Sequence, residues 1–324
     1  PALLRGAPRS PGAAVSLARL PVLAITGASG FVGSHTLAAA LAAGHAVRAL
    51  TRRAQPPQAG VTWLRGDLGD RAALGALVQG ADAVIHIAGL TNTPDPAQFE
   101  AANVTGTAQV IAAMRAAGVR RLVFVSSLAA RRPELSSYGA SKARAEALVE
   151  ASALDWTTVR PPAVYGPRDT DMLELFRAAR WGLVPLPPGG ATSIIHAADL
   201  AALLVVLAAS TGALIARQTY EPDDGREGGW SHKELAQAIG RAVGRRRVLA
   251  PHLPRAVLAA AAAADRLARG DRAKLTPDRV GYMCHPNWVV RSDRRPPVAL
   301  WCPRIAGEEG LKATAQWYRQ MGWL

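Results

Sequence analysis

The run VLAITGASGFVGSH, residues 22–35, restricts what this chain can become more than any other segment. A short apolar stretch meets Gly27, Gly30 and Gly33 and passes at once into a helical pattern. Glycines at a strand-to-helix turn let the chain reverse sharply and let backbone N–H groups come close to a ligand. The dipole of the helix that follows favours negative charge there, so the turn suits a pyrophosphate. The spacing is Gly-x-x-Gly-x-x-Gly rather than the commoner Gly-x-Gly-x-x-Gly. A tight turn without a ligand is the plainer alternative. The strand before it and the helix after it favour binding, because a glycine fingerprint acquires meaning only in that context.

The rest of the chain repeats the alternation. Apolar runs predict strands at 22–26, 46–51, 61–64, 83–87, 121–126 and 156–160, with helices at about 31–43, 70–79, 97–117 and 138–152. Strands such as LVFVS are continuously apolar, as expected where both faces of a sheet are covered. The fold class is therefore α/β, a doubly wound parallel sheet. After Pro161 the pattern weakens into Pro- and Gly-rich turns and helices near 170–180, 231–243, 254–269 and 307–320. We expect a tail at 1–20, a nucleotide-binding domain at 21–165, and a small C-terminal substrate-binding cap at 166–324, interleaved with the last sheet elements at about 194–220.

Composition closes several alternatives. With 49% of residues apolar and 19% charged, the chain has ample core material and does not read as disordered. Cys284 and Cys302 are too few for a disulfide framework and point to a reducing compartment. The net charge is +14, yet residues 21–216 are nearly balanced, with 16 basic and 13 acidic side chains. The excess sits in residues 217–304, with 17 basic against 9 acidic, and in Arg5, Arg9 and Arg19. No basic run is interleaved with aromatics, so the excess reads as a solvated face rather than a nucleic-acid site. The uncharged stretch Leu200–Ala216 is broken by Ser210, Thr211 and Gly212 and reads as a buried helix and turn, not a membrane span. A cytoplasmic location is expected. The acid-free residues 1–20, similar to a transit peptide, leave an organellar matrix as the alternative. The histidines and cysteines have no metal-ligand spacing, so no metal site is expected.

Two further signals concern chemistry. The second strand ends without an acidic residue and offers Arg52 and Arg53 instead, which favours a 2′-phosphate and therefore NADP over NAD; simple solvated arginines are the plainer reading. Asp67 after the third strand is either an adenine contact or a helix cap. In SSYGASK, Tyr138 and Lys142 stand four residues apart on one helix face, where an ammonium lowers a phenol's pKa and prepares it for proton exchange. Lys is scarce here, four of 38 basic residues, so its place after Tyr138 is informative. Ser126 and Ser127 close the fifth strand at the edge where such sheets bind ligands.

TGASGFVG, Ala88 and Gly89, NVTGT at 103–107, FVSS, YGASK and RPPAVYGP together resemble the extended or atypical short-chain dehydrogenases/reductases, epimerase/dehydratase-like proteins built on a Rossmann sheet. The closing GLKATAQWYRQMGWL is similar to the last helix of dihydroflavonol-reductase-like and 3β-hydroxysteroid-dehydrogenase-like members. The resemblance implies Tyr138 as acid/base, Lys142 as its pKa-lowering neighbour and ribose ligand, and Ser127, in preference to Ser126, polarising the carbonyl. It implies a cofactor site formed by Gly27, Ser29, Gly30, Phe31, Val32 and Gly33, with Asp67 and Leu68 at the adenine and Ala88 and Gly89 beneath the cofactor. Asn103 would be structural.

Ala163 stands where the sugar-nucleotide enzymes of that family usually carry Asn, and the segment from Ser127 to Tyr138 is short. Both lean toward an NAD(P)-dependent oxidoreductase acting on a less polar carbonyl or alcohol. A sugar-nucleotide epimerase/dehydratase and a non-catalytic accessory subunit of a larger complex are the alternatives. A small-molecule substrate is the expected partner; the oligomeric state is left open.

Overall fold

A computed structural model describes residues 20–324, so the basic opening segment with Arg5, Arg9 and Arg19 lies outside the described residues. The first half runs β1 (Leu23–Thr26), α1 (Phe31–Ala42), β2 (Val47–Thr51), β3 (Val61–Arg65), α2 (Arg71–Val78), β4 (Ala83–His86), α3 (Pro96–Phe99), α4 (Gly106–Ala116), β5 (Arg121–Val125), α5 (Ser137–Glu150) and β6 (Asp155–Val159). After it come β7 (Ala163–Tyr165), α6 (Leu173–Arg180), β8 (Ala191–Thr192), β9 (Ile194–His196), α7 (Ala197–Ala209) and β10 (Gln218–Tyr220). The chain closes with β11 (Trp230–Ser231), α8 (His232–Ala242), α9 (Arg255–Arg269), α10 (Pro277–Met283), β12 (Asn287–Trp288) and α11 (Gly307–Gln320).

The main sheet has seven parallel strands in the order β10-β6-β5-β4-β1-β2-β3. The order reverses direction between β1 and β4, the place where open α/β sheets leave a crevice for a ligand. One face buries Ile25, Ile85 and Val123 under α1 and α7, through Leu37, Ala40, Leu200 and Leu204. The other buries Ala24, Val84 and Phe124 under α2, α4 and α5, through Leu74, Val110, Met114 and Val149. A sheet covered on both faces needs apolar residues at consecutive positions, which is why the strands lack alternation.

Three features differ from the expectations. The single helix expected at 97–117 is α3, a π-helical turn at Glu100–Thr105, and then α4. The turn puts Asn103 inside, where the Thr107 hydroxyl donates to its carbonyl and its amide reaches another helix. Short strand β7, paired in parallel with β9, was not signalled, and within the stretch 194–220 the separate strands β9 and β10 were not told apart. The Pro- and Gly-rich remainder forms a three-stranded sheet, β11-β8-β12, and a separate core built on Tyr165, Phe176, Trp230, Ile239, Leu311 and Tyr318.

Candidate functional site

Every segment singled out in the first half ends at the carboxyl edge of the main sheet. Read across that edge, β3 delivers Asp67 and Leu68, β2 delivers Arg52 and Arg53, β1 delivers Gly27–Gly33, β4 delivers Ala88 and Gly89, and β5 delivers Ser126 and Ser127. These are four inter-strand steps of about 4.8 Å. An extended ligand laid along the edge meets them in that order.

The glycine turn fits an anion. Gly27 has φ +75°, and a Cβ there would stand 2.8 Å from the Ala88 nitrogen. A Cβ on Gly33 would lie 1.9 Å from the Gly27 carbonyl oxygen, so only glycine lets α1 start this close to β1. Gly30 caps α1 without any side-chain hydrogen bond, and the first turn carries no acid. The first-turn amides therefore face outward unclaimed by a cap, beside exposed Ser29 and half-buried Phe31 and Val32. Arg52 and Arg53 are exposed, and neither guanidinium pairs with a described residue. Asp67 is exposed and accepts from the Gly69 N–H; the cap of α2 is Asp70, so the helix-cap reading of Asp67 is corrected. Leu68 packs over Gly106, where a Cβ would meet its Cδ1 at 2.6 Å.

Beneath this edge a buried polar chain fixes the end of β4. The Thr26 hydroxyl shares a hydrogen bond with His86 Nδ1 (2.6 Å) and accepts from the Ile87 and Ala88 N–H groups, while His86 Nε2 meets the Thr107 hydroxyl at 3.0 Å. Burial, helped by the nearby Lys142 ammonium, pushes His86 down to about 3, so it stays neutral. Asn103 accepts from Leu90 N–H and donates to the Leu90 carbonyl and the Ser141 hydroxyl, joining the loop after β4 to α5.

Tyr138 sits in the first turn of α5, in a cluster with Phe99 and Ala129 against which Leu90, Tyr282 and Trp288 pack. Its ring centroid lies 5.8 Å from that of Phe99 and 6.1 Å from that of Tyr282. Ser127, partly exposed, accepts from the Ala129 N–H and lies near enough to the phenol to oppose the rise in its pKa, whereas the Ser126 hydroxyl is buried without a partner among the described residues. Lys142 is buried; its ammonium donates to the Val125 carbonyl at 2.7 Å and lies 4.5 Å from the Phe124 ring centroid. A Cβ on Gly89 would be 4.0 Å from that nitrogen.

The expectation that Lys142 lowers the phenol's pKa is overturned. Burial pushes Tyr138 up to about 12, against the opposing pull of Ser127, and Lys142 is not among the groups acting on it. Lys142 itself is pushed down to about 8 by burial, with Glu146 pulling back. Shared helical face is not contact: the ammonium points to the strand, and desolvation of the phenol dominates.

The cap supplies groups that the sequence did not mark. Asp278 on α10 accepts from the backbone N–H of Ser137 at 2.5 Å and of Tyr138 at 3.3 Å, while Ser136 accepts from Gly139 N–H. The N-terminus of α5 is thus capped by a carboxylate some 140 positions away in the chain. Arg131, just beyond Ser127, donates to Glu221 at 3.0 Å and to the Val289 carbonyl, and Arg291 N–H donates to the same carboxylate. Only Trp288, of the C-terminal tryptophans, joins the wall of the site; Trp317 and Trp323 pack beside Tyr318 in the cap core. Among the described residues no three His, Cys, Asp or Glu side chains gather to hold a metal, and no helix is long and apolar enough to cross a membrane.

Comparison with known proteins decides what this edge holds. Residues 27–210 match a family model described as NAD(P)H-binding. The chain belongs to the extended short-chain dehydrogenases/reductases. Like other members it is an NAD(P)-dependent oxidoreductase of the reductase/epimerase type. It is 36% identical to the ceramide reductase of Caulobacter vibrioides, over 94% of this chain and 96% of that protein. It is 31% identical to the 2-alkyl-3-oxoalkanoate reductase of Stenotrophomonas maltophilia, over 89% and 96% of the two chains. Among solved structures, MoeE5 in complex with UDP-glucuronic acid and NAD superimposes with a TM-score of 0.71 at 25% identity, covering 93% of this chain and 99% of that one.

Proposed function

We propose that this dehydrogenase/reductase is an NADPH-dependent ketone reductase whose substrate carries an alkyl chain. The observation that carries the reading is Tyr138: a protonated phenol, next to Ser127, walled by Phe99, Leu90, Tyr282 and Trp288. Such a wall offers burial to hydrocarbon and almost nothing to a sugar. Two full-length relatives with the names ceramide reductase and 2-alkyl-3-oxoalkanoate reductase support the same class.

The first-turn amides of α1 would hold the pyrophosphate of a reduced nicotinamide dinucleotide, which when bound would supply the hydride. Arg52 and Arg53 grip the 2′-phosphate, Asp67 and Leu68 border the adenine, and Ala88 and Gly89 pass under the dinucleotide. Ser127 donates to the substrate's carbonyl oxygen and orients it. Tyr138 would give its proton to the carbonyl oxygen as the carbon is reduced. A phenol at about 12 is fully protonated near neutral pH, which suits donation during reduction rather than abstraction from an alcohol. Lys142, ammonium below about pH 8, presents donors beneath Gly89 to the nicotinamide ribose.

Purified protein should oxidise NADPH, followed by nicotinamide absorbance, when given a 3-oxo compound with a long alkyl chain. Interconversion of UDP-sugars without net NADPH loss, and no turnover of any alkyl ketone, would replace this reading with the epimerase one.

A further inference from the structure

The helix α9 is apolar outside as well as inside. It buries only Leu258 and Ala262, one turn apart, against Leu253, Leu275 and Val280. At about 100° per residue, the opposite half of the helix presents Ala256, Val257, Ala260, Ala263, Ala264 and Leu267, all exposed. Leu267 is 89% exposed and Val257 48%. No polar side chain interrupts that half. Arg255 and Arg266 fall instead along one margin beside the buried stripe, Arg269 follows in line with that stripe and pairs with Asp265, and Asp265 also accepts from the N–H groups of Lys274 and Leu275. A surface helix in water keeps apolar residues inward and polar residues outward, whereas α9 is apolar on its outer half as well.

Other apolar side chains of the cap are also exposed. Leu183 and Leu249 pair in a short bridge and are 42% and 69% exposed, and Trp181 beside them is 82% exposed. Arg245, Arg246 and Arg247 precede Leu249 and are exposed. An apolar helix face with arginine along its margin is how helices lie in the headgroup boundary of a bilayer.

We propose that α9 docks this protein on an anionic phospholipid surface, its outer face among the acyl chains and its arginines at the phosphates. Charge selects this occupant. Residues 217–304 carry 17 basic and 9 acidic side chains, so a second copy would bring like-charged margins together, whereas an anionic leaflet neutralises them. The position also fits: α9 rests on α10 through Val280, and α10 holds Tyr282 against Tyr138, so the bilayer would lie one helix away from the phenol. The surface stands apart from the ketone reading, since docking requires no substrate.

The test is flotation of the full chain with vesicles of phosphatidylglycerol and phosphatidylcholine. The wild type is expected to float with anionic vesicles, to be released by salt, and to ignore pure phosphatidylcholine. Val257→Asp with Leu267→Asp should weaken flotation at least tenfold, about what losing one buried aliphatic side chain does. NADPH binding and the thermal midpoint of that variant should not change. Val298→Asp, at a residue 82% exposed elsewhere, should float like the wild type. Should the double variant misfold, Arg255→Gln, Arg266→Gln and Arg269→Gln together read the same surface, with an expected loss of about 100-fold at low salt, roughly fivefold per charge. Failure of the wild type to float, equal flotation of both charge and apolar variants, or a wild-type dimer that Leu267→Asp dissociates would each overturn the proposal.

Discussion

The sheet edge and the cap meet at Tyr138 from opposite directions. At the edge the contacts are backbone atoms, glycines and strand ends, set side by side by the hydrogen-bond register of parallel strands. In the cap they are side chains, Asp278, Tyr282, Trp288 and Glu221, held by contacts between segments 90 or more residues apart in the chain. The first arrangement has no freedom to move without breaking the sheet. The second depends on packing between elements distant in sequence, α10 and β12 among them. Substitutions on the two sides should therefore fail differently: those at the edge in cofactor binding, those in the cap in substrate handling.

The largest effect belongs to the edge. In Gly33→Ala the new methyl group would sit 1.9 Å from the Gly27 carbonyl oxygen, so the turn must open. Calorimetric titration should detect no dinucleotide binding, and near-normal affinity would show that the turn is not the site. Next, Arg52→Ala with Arg53→Ala should weaken NADPH binding about 10- to 100-fold while leaving NADH unchanged, the range expected for charge-assisted hydrogen bonds. Equal weakening of both cofactors would mean that the arginines serve something other than the 2′-phosphate.

In the cap, Asp278→Ala removes a carboxylate from the N-terminus of α5 and should cost about 1 kcal/mol in urea denaturation. It should raise KM more than it lowers kcat, with NADPH affinity intact; a loss of cofactor binding would erase the distinction between the two regions. The smallest effect is one of pH. Burial holds the Lys142 ammonium's pKa down at about 8, so reduction should decline as pH rises through that value and the charge is lost. Stability should move the other way: between about 8 and the ordinary lysine value the unfolded chain binds the extra proton, so folding gains as pH rises. A rate profile flat to pH 10 would free Lys142 from its role.

The same contrast governs what was legible. Continuous apolar runs such as VLAIT and LVFVS place β1 and β5 to within a residue or two, because a strand covered on both faces has no other composition open to it. Once the strands are placed in parallel order, Gly27, Arg52, Ala88 and Ser127 follow to one edge by topology alone. The π-helical turn at Glu100–Thr105 was not legible, since its residues suit an α-helix and only the buried amide of Asn103 accounts for it. Nor was Asp278: a carboxylate before an arginine on a short helix has no local signature. The pairing of Tyr138 with Lys142 misled in one respect. Spacing put both on α5, but it said nothing of how deeply the phenol would be buried or that the ammonium would turn to the Val125 carbonyl.

Single-turnover oxidation of NADPH by an alkyl ketone, compared between the wild type and Tyr138→Phe, tests the proton-donor role most directly. The variant should bind NADPH as tightly as the wild type and transfer hydride at least ~100-fold more slowly. Hydride transfer within a few-fold of the wild-type rate would show that the carbonyl oxygen draws its proton from somewhere other than Tyr138.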